Sequence, residues 1–417
     1  MINIISLKLS FIRVFFRIIS AKLDKNITMP DKNKISVLMV TGVYYPEVNG
    51  AVLQCKRIIS LLKIKVNFIV ITSSRHKHLI DNDVVDGVNV FRSYIGNSGA
   101  KLLQIIKIFS VFLTKRFDIV HLHGFSSRSA LIVLISKLFH KKVIIKMTSF
   151  GHDDTVSIKN KSRLYFLIFS LADTYIGVSP IFKETYRKSE LDERKYYQIP
   201  NGVDTNLFLP LANVKEKNEL RSELGLPIDI SLILVVGHFS IDKSANHVLD
   251  AWLRIQKESN NQSGIVFIGS TNNNSFEVDR NIVNSIYSKS KQFIGERVFF
   301  VEKTNHIEQY YQAADVYVLS SVREGLPNAL LEAMSCALPV ISTRLKGITD
   351  WVIKHNVNGL LYQPGDVENL ALLLERVVND VKCKNYLGVN AREEVLKRFD
   401  IDDTSNKILS LYEQLTH

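Results

Sequence analysis

Cysteines are scarce in this sequence, and no internal repeat is present. The 417 residues include only three cysteines, Cys55, Cys336 and Cys383. They are widely separated, odd in number and without a Cys-x-x-Cys spacing, so a disulfide scaffold and a cysteine-ligated metal site are both excluded. This usage favours a reducing compartment. The absence of a 20–50-residue period excludes a solenoid or a propeller.

A long uninterrupted apolar run is also missing. The most apolar stretch, residues 4–23, contains Lys8, Arg13 and Arg17, so it is too interrupted to span a bilayer. It lacks a small-residue cleavage site, which argues against a secretory signal. On a helix, Ser6, Ser10, Arg13, Arg17 and Ser20 fall on one narrow face and most other residues are apolar, which predicts an interfacial helix on an anionic leaflet. The alternatives are an added helix packed on the fold, or an upstream extension with Met29 as the start.

Acidic residues are scarce in the first half of the chain. Residues 1–200 contain 31 Lys and Arg against 14 Asp and Glu, whereas the remainder contains 22 against 27. This asymmetry favours a polyanionic partner. No nucleic-acid-binding motif is matched, and no basic patch is interleaved with aromatic residues. An anionic membrane or a phosphorylated acceptor is therefore favoured over nucleic acid. The alternative explanation for the excess of basic residues is a genome biased toward Lys and Asn.

The chain is too long for one hydrophobic core, so two domains are expected. Apolar strand-like runs such as 35–41, 66–72 and 118–123 alternate with helical patterns, which is typical of a parallel sheet covered on both faces. A second series of alternating strand-like and helical segments begins after residues 201–210. The turn signals in residues 201–210 predict an interdomain linker. We predict an α/β fold of two Rossmann-like domains facing each other across a cleft.

The most informative motif lies in residues 322–343. Glu324 follows a predicted strand, seven residues separate it from Glu332, and residues 328–335 read as a helix. A helix N-terminus binds anions such as a diphosphate, and a carboxylate accepts the paired hydroxyls of a sugar. An arbitrary spacing of this kind is most simply a capped helix with a solvated glutamate. The Gly-Leu-Pro turn and the flanking buried strands make this instance specific.

Three further segments carry candidate binding residues. A strand ends at Gly237 and Lys243 opens the next predicted helix, where a cation suits a diphosphate, although a lone lysine there is otherwise a solvated residue. Gly50 opens a helix after the first strand and allows backbone to approach a ligand. His121 and His123 share one face of a strand, but no third metal ligand has a suitable spacing.

These segments resemble glycosyltransferase family 4, whose members are retaining enzymes of the GT-B fold, over residues 35–415. The resemblance implies that Glu324 contacts the donor sugar, that Glu332 contacts the nucleotide ribose, and that His123 is the active-site histidine. It places the further donor contacts at Gly50, His238, Lys243, Asn328, Ala329 and Leu330.

The resemblance also implies four segments. These are an amphipathic extension (1–34), an acceptor domain (35–204), a donor domain (205–399) and a C-terminal helix (400–417) that packs back on the first domain.

The chain departs from the family pattern at several positions. His238 stands where relatives usually have Arg, and Ser244, Asn49 and Ala337 stand where they usually have Gly. Phe150 replaces a frequent His. We expect His238 to be a weaker, pH-dependent donor to the diphosphate. A weaker assignment gives acceptor contacts to His152, Asp153 and Asp154.

No metal or other cofactor is expected. The letters Asp-x-Asp occur at Asp81 and Asp83, but no strand precedes them directly, so we interpret them as a solvated loop.

The predicted reaction is transfer of a hexose from a nucleoside-diphosphate sugar to a hydroxyl of a glycan or glycolipid acceptor, with retention. The predicted place is the cytoplasmic face of the inner membrane, in polysaccharide or lipopolysaccharide synthesis. Alternatives are a sugar-nucleotide epimerase of similar architecture and a catalytically degenerate sugar-nucleotide-binding scaffold. The sequence leaves the sugar, the acceptor and the oligomeric state open.

Overall fold

The computed structural model describes residues 31–416 apart from 32, 77, 78, 80, 97, 259–261 and 272–277. The predicted interfacial helix at 4–23 lies outside these residues. The chain folds as two compact units. Unit 1 contains the described residues up to Val178, Phe182–Ile199 and those from Ser405 onward, and unit 2 contains Ser179–Ile181 and Pro200–Thr404.

Unit 1 is built on an eight-stranded sheet of order β3-β4-β2-β1-β5-β6-β7-β8. Every neighbouring pair is parallel except β3 with β4. The strands are β1 (Ile35–Val40), β2 (Val66–Ser74), β3 (Asn82–Val85), β4 (Val88–Tyr94), β5 (Ile119–His123), β6 (Lys142–Met147), β7 (Thr174–Gly177) and β8 (Tyr196–Gln198).

The helices of unit 1 follow the predicted apolar periodicity. They are α1 (Gly50–Leu62), α2 (Ser98–Thr114), α3 (Ser127–Leu138), α4 (Thr155–Lys161), α5 (Arg163–Phe169), α6 (Pro180–Arg187, entered from unit 2) and most of the C-terminal helix α15 (Ile401–Thr416). One core cluster joins Cys55 and Ile58 of α1, Met39 of β1, and Leu411 and Tyr412 of α15. The predicted packing of the C-terminal helix on the first domain is therefore confirmed.

Unit 2 has a six-stranded, fully parallel sheet of order β11-β10-β9-β12-β13-β14. Its strands are β9 (Ser231–Val236), β10 (Ser263–Ile268), β11 (Val298–Val301), β12 (Val316–Leu319), β13 (Val340–Thr343) and β14 (Leu360–Tyr362). Its helices are α7 (Val214–Glu223), α8 (Ala245–Glu258), α9 (Arg280–Ser290), α10 (Ile307–Ala313), α11 (Asn328–Ser335), α12 (Thr349–Val352), α13 (Val367–Asn379) and α14 (Val381–Arg398). The predicted α/β fold with two parallel-sheet domains is confirmed.

One local prediction is wrong. Asp83 does not lie in a loop, because it belongs to edge strand β3 and accepts a hydrogen bond from Arg92 Nη1 at 2.7 Å. Residues 201–210 follow directly after the chain passes from unit 1 to unit 2 at Ile199 and Pro200. Val203 and Phe208 of this segment are buried in unit 2, and the Val203 N–H donates to the Phe399 carbonyl at 2.9 Å.

Three non-glycine residues in unit 2 have left-handed backbone, namely Ser244 at φ 49°, Ala337 at φ 57° and Asn356 at φ 63°. The family resemblance implies glycine at the first two of these positions. A Cβ atom disfavours this conformation by roughly 1–2 kcal/mol, so the substitutions leave strain next to Lys243 and just after α11.

No helix among the described residues is long and apolar enough to cross a membrane.

Candidate active site

The candidate site of unit 2 is built around the loop between β12 and α11. The chain leaves β12, turns through Gly325 and Pro327, and begins α11 at Asn328, as the sequence predicts. Ser179 holds this loop by donating to the Gly325 carbonyl at 2.7 Å. The side chain of Glu324 is only 11% exposed. Its carboxylate is therefore largely shielded from solvent.

Lys243 and Glu324 contact each other directly. The Lys243 Nζ lies 2.6 Å from Glu324 Oε1. The stem of Lys243 packs beside Gly237, where an added Cβ would lie 3.5 Å from its Cδ. Lys243 does not open a helix, because α8 begins at Ala245 and Lys243 lies in the turn before it. That turn directs the ammonium to the β12–α11 loop.

A second ion pair joins the same two loops. Arg323 Nη2 lies 2.5 Å from Asp242 Oδ2, and the Val322 N–H donates to the Asp242 carbonyl at 2.8 Å. The hydroxyl of Ser320 donates to the Lys243 carbonyl at 2.7 Å. These contacts between the two loops were not predicted, because sequence spacing does not link residues about 80 positions apart. The loops that carry Lys243 and Glu324 are therefore fixed relative to each other.

Glu332 is buried on α11, with 4% of its surface exposed. The Tyr311 hydroxyl donates to its Oε2 at 3.0 Å. Burial and the neighbouring Glu332 carboxylate raise the pKa of Tyr311 well above its usual range, so this phenol stays a donor. Glu332 is thus a carboxylate held in one orientation on the helix that starts beside Glu324.

The N-terminus of α11 has no side-chain cap. Pro327 occupies the capping position and supplies no hydrogen bond from its side chain. Asn201 donates to the Asn328 side-chain oxygen at 3.0 Å and to the Leu326 carbonyl at 3.1 Å. Leu330 packs into the core with no exposure, and Ala329 is half-buried. These residues can meet a ligand only through backbone N–H groups, which lack intrahelical acceptors in the first turn.

His238 follows Gly237 directly and is half-buried. Its carbonyl accepts the Ser240 N–H at 2.9 Å, which forms a tight turn after β9. The family resemblance implies a longer, permanently charged arginine at this position, which the imidazole replaces. It offers at most one donor when neutral.

In unit 1, Gly50 is the first residue of α1 and is exposed. The Asn49 side chain caps this helix by accepting the Val52 N–H at 3.1 Å. Asn49 has an ordinary extended backbone at φ −143°, so a residue other than glycine fits this position without strain. Asparagine serves at this position as an N-cap.

His121 and His123 stack with ring centroids 4.6 Å apart on β5. The His121 Nδ1 lies 2.7 Å from the Tyr412 hydroxyl of α15, which gives it a structural partner. Neither ring nitrogen of His123 has a hydrogen-bond partner among the described residues. Burial and the nearby His121 and Lys146 hold the pKa of His123 well below its usual range, so its ring is neutral.

The loop after β6 uses both acidic residues internally. Asp153 accepts hydrogen bonds from the Thr148 N–H at 2.9 Å and the Ser149 N–H at 2.8 Å, and burial raises its pKa to about 6. Asp154 caps α4 through the Ser157 N–H at 3.0 Å. Of the three residues assigned to acceptor contacts, only His152 is exposed.

In the described part of the chain, no group of three or more His, Cys, Asp or Glu side chains is placed to hold a metal ion.

Comparison with known families identifies both units. A family model described as glycosyl transferases group 1 matches residues 216–394. A second, described as glycosyltransferase family 4, matches residues 48–207. The chain belongs to glycosyltransferase family 4. The first match contains Glu324, Glu332 and Lys243, and the second contains His123.

Two curated relatives show the range of this family. N-acetyl-alpha-D-glucosaminyl L-malate synthase of Bacillus anthracis is 26% identical over 314 residues, covering 74% of this chain and 77% of the relative. UDP-Gal:alpha-D-GlcNAc-diphosphoundecaprenol alpha-1,3-galactosyltransferase of Escherichia coli is 27% identical over 321 residues, covering 74% and 78%.

Among solved structures, HepE of Anabaena in complex with UDP and glucose superposes with a TM-score of 0.72 at 18% identity. It covers 91% of this chain and 100% of that one. Together these comparisons make the chain a glycosyltransferase with the GT-B fold.

Proposed function

We propose that this glycosyltransferase moves a hexose from a nucleoside-diphosphate sugar to an acceptor hydroxyl with retained configuration and without a metal ion. The observation that carries the proposal is the Lys243–Glu324 contact at 2.6 Å beside the uncapped N-terminus of α11. A cation, a carboxylate and the backbone N–H groups of a helix N-terminus in one place suit a sugar bonded to a diphosphate.

The proposed roles follow from these positions. Glu324 acts at the reacting sugar, Lys243 neutralises the leaving diphosphate, His238 donates a hydrogen bond to it, and Glu332 accepts hydrogen bonds from the ribose hydroxyls. The backbone of Asn328, Ala329 and Leu330 meets the distal phosphate.

From unit 1, His123 acts at the sugar and Gly50 allows close backbone approach. In this proposal, residues 35–204 form the acceptor domain and residues 205–399 the donor domain.

We propose a lipid-linked glycan as acceptor, in cell-surface polysaccharide or lipopolysaccharide synthesis at the cytoplasmic face of the inner membrane. In support, the E. coli relative is described as acting on a diphosphoundecaprenol-linked sugar. Another, from Staphylococcus aureus, is described as a capsular polysaccharide biosynthesis glycosyltransferase.

A surface of unit 1 supports the membrane placement. Helices α2, α3, α4 and α5 contain no Asp or Glu. Phe112 of α2 packs on Phe139 after α3, and α3 contacts α5.

Their outer side chains form what we call the basic leucine face. Its apolar members are Leu102, Leu103, Ile105, Ile106, Leu134, Leu138, Leu164, Leu167 and Leu171, and its exposed cations are Lys101, Arg116, Lys159, Lys161 and Arg163. Exposed leucine beside lysine matches an anionic lipid surface.

The donor assignment is tested with Glu324→Gln. We expect thermal shifts with one class among UDP- and GDP-sugars, and a fall in transfer of about a hundredfold or more in the variant, since a group that stabilises the transition state is lost. Glu302→Gln, an exposed glutamate of the same unit, should transfer normally. Sugar transfer at the native rate by Glu324→Gln would contradict the proposed role of Glu324 in the donor site.

The products of the same incubation separate the two other functions. An epimerised sugar nucleotide formed without acceptor would identify an epimerase. Nucleotide binding with neither transfer nor slow donor hydrolysis would identify a scaffold.

The membrane placement is tested by co-sedimentation with phosphatidylglycerol vesicles at low salt. Changing Leu164 and Leu167 to Glu should lower the bound fraction severalfold, because both side chains are more than 60% exposed. Leu372→Glu, 62% exposed on unit 2, is the matched control. Unchanged binding in the double variant would contradict this face, and deletion of residues 1–28 then shows whether that segment binds instead.

A further inference from the structure

A second cluster of titratable side chains lies on one face of the unit 1 sheet. His123 of β5 is the register partner of Lys146 on β6. Side chains alternate along a strand, so His121, two residues earlier, shares this face. Exposure rises toward the carboxyl end of β5, from 0% at His121 to 6% at His123, and Lys146 retains 1%. In parallel α/β sheets, ligands lie at the carboxyl ends of the strands.

The Lys146 ammonium has no hydrogen-bond partner among the described residues. Burial lowers the pKa of Lys146 to about 8, and the only group that opposes this shift is the Cys55 thiol of α1. Burial raises the pKa of Cys55 to about 12, so that thiol carries no charge at neutral pH. Lys146 is therefore mostly a cation below pH 8 and has no counter-ion from α1.

The other groups around Lys146 do not neutralise it. His121 lies against the Tyr412 hydroxyl of α15, and the pKa values of both His121 and His123 are lowered, first by burial and also by the nearby lysine. Asp153, in the loop after β6, accepts hydrogen bonds from the Thr148 and Ser149 N–H groups of its own loop, and no carboxylate in the described part of the chain measurably affects the pKa of Lys146. Among the described residues, this face thus has a lysine and a neutral histidine without a carboxylate for either.

An uncompensated buried charge costs several kcal/mol, and such groups concentrate at functional sites. We propose that Lys146 and His123 form an anion subsite in unit 1, which binds a phosphate or carboxylate group of the acceptor. The lysine supplies the charge, and the neutral imidazole donates one N–H to an anion oxygen. The identity of the ligand as acceptor rests on the proposed function, whereas anion binding itself does not.

The test is thermal unfolding of the full chain in inorganic phosphate or malonate, against chloride at equal ionic strength. The background variant Lys243→Met removes the candidate phosphate contact of unit 2. In it, phosphate or malonate should still raise Tm, and adding Lys146→Met should weaken the apparent affinity about tenfold or more. Lys142→Met, on the exposed start of the same strand, should leave the shift intact.

Lys146→Met should also change the Tm in a direction that is not expected for a lysine with a purely structural role. Without any anion, this variant should melt a few degrees higher than the native chain, because a buried charge without a counter-ion has been removed. Lys146→Arg should keep the anion shift, because the charge remains. The subsite is refuted if Lys146→Met retains the full shift, or if neither phosphate nor malonate shifts the Lys243→Met background.

UDP serves as an independent probe of the proposed function. A UDP shift that persists in Lys146→Met shows that unit 2 remains folded, so the loss of the phosphate shift is local. Absence of any UDP or sugar-nucleotide shift in the native chain would count against the proposed function and leave the phosphate result to decide the subsite. Preference of phosphate over malonate would identify the acceptor group as a phosphate, and the reverse as a carboxylate.

Discussion

In unit 2, Lys243 lies 2.6 Å from Glu324, whereas in unit 1 Lys146 has no hydrogen-bond partner among the described residues. Glu332 likewise has Tyr311, while neither ring nitrogen of His123 has a partner among those residues. In unit 1, Lys146 and His123 are buried without a hydrogen-bond partner among the described residues. In unit 2, Lys243 and Glu324 pair with each other on two loops that are joined by further hydrogen bonds. Pairing keeps a charged site stable before a ligand arrives, and unpaired burial stores free energy that a ligand of opposite charge can release.

The largest effect should come from breaking the pair in unit 2. We expect Lys243→Met to lower kcat/KM about 10²–10³-fold, because the charge that develops on the leaving diphosphate loses its cation. Steady-state kinetics with the donor found in the screen measures this change. Lys303→Met removes an exposed lysine of the same unit and should leave kcat/KM unchanged. A Lys243→Met enzyme with native kinetics would mean that the pair only holds the loops.

The next effect concerns the unpaired lysine of unit 1. Because Lys146 has a pKa of about 8 when folded and about 10.4 when unfolded, the unfolded chain binds more protons between these values. The free energy of unfolding should therefore rise with pH across this window, by about 3 kcal/mol from this group. Denaturant titrations at several pH values measure the rise.

The matched variants decide whether Lys146 causes this dependence. Lys146→Met should lose that share of the rise, and Lys142→Met should keep it. Equal pH profiles for the native chain and Lys146→Met would show that Lys146 is not a desolvated cation, and the contrast between the two units would then disappear.

The smallest effect concerns the backbone beside the paired site. Ser244→Gly and Ala337→Gly should each raise the free energy of unfolding by about 0.5–1 kcal/mol, because glycine adopts positive φ without a Cβ clash. Asn356→Gly is the control, since Asn356 at φ 63° belongs to a residue type that tolerates this region. Destabilisation by Ser244→Gly would show that the serine side chain stabilises the turn by more than the strain costs.

Sequence reasoning recovered most of the fold because buried parallel strands are short continuous apolar runs. Residues 35–41, 66–72 and 118–123 were recognised on that basis and coincide closely with β1, β2 and β5. Strand β3 was missed because an edge strand is only half covered and its letters, Asn-Asp-Val-Val, resemble a polar loop. The burial of Val203 and Phe208 within residues 201–210 was not predicted, because a turn signal does not say whether the turn is buried.

The candidate site was predictable where its members are close in sequence. Glu324, Asn328 and Glu332 lie within one loop and one helix, so helical periodicity and turn chemistry were enough to group them. The contact of Lys243 with Glu324 and that of His121 with Tyr412 depend on tertiary packing, which local spacing does not encode. Lys146 was not singled out from the sequence, because a single lysine in an apolar run is simply predicted as part of a strand. That its ammonium has no hydrogen-bond partner among the described residues can be seen only from the three-dimensional structure.

The shared membership of α15 has a consequence for synthesis of the chain. Residues up to Thr404 belong to unit 2 and those from Ser405 onward to unit 1, where Tyr412 meets His121 across 291 positions of sequence. A ribosome adds about 5–20 residues per second, so β5 exists for tens of seconds before the helix that covers it. The domain whose synthesis starts first therefore finishes folding last, and until then its apolar sheet face is available to chaperones.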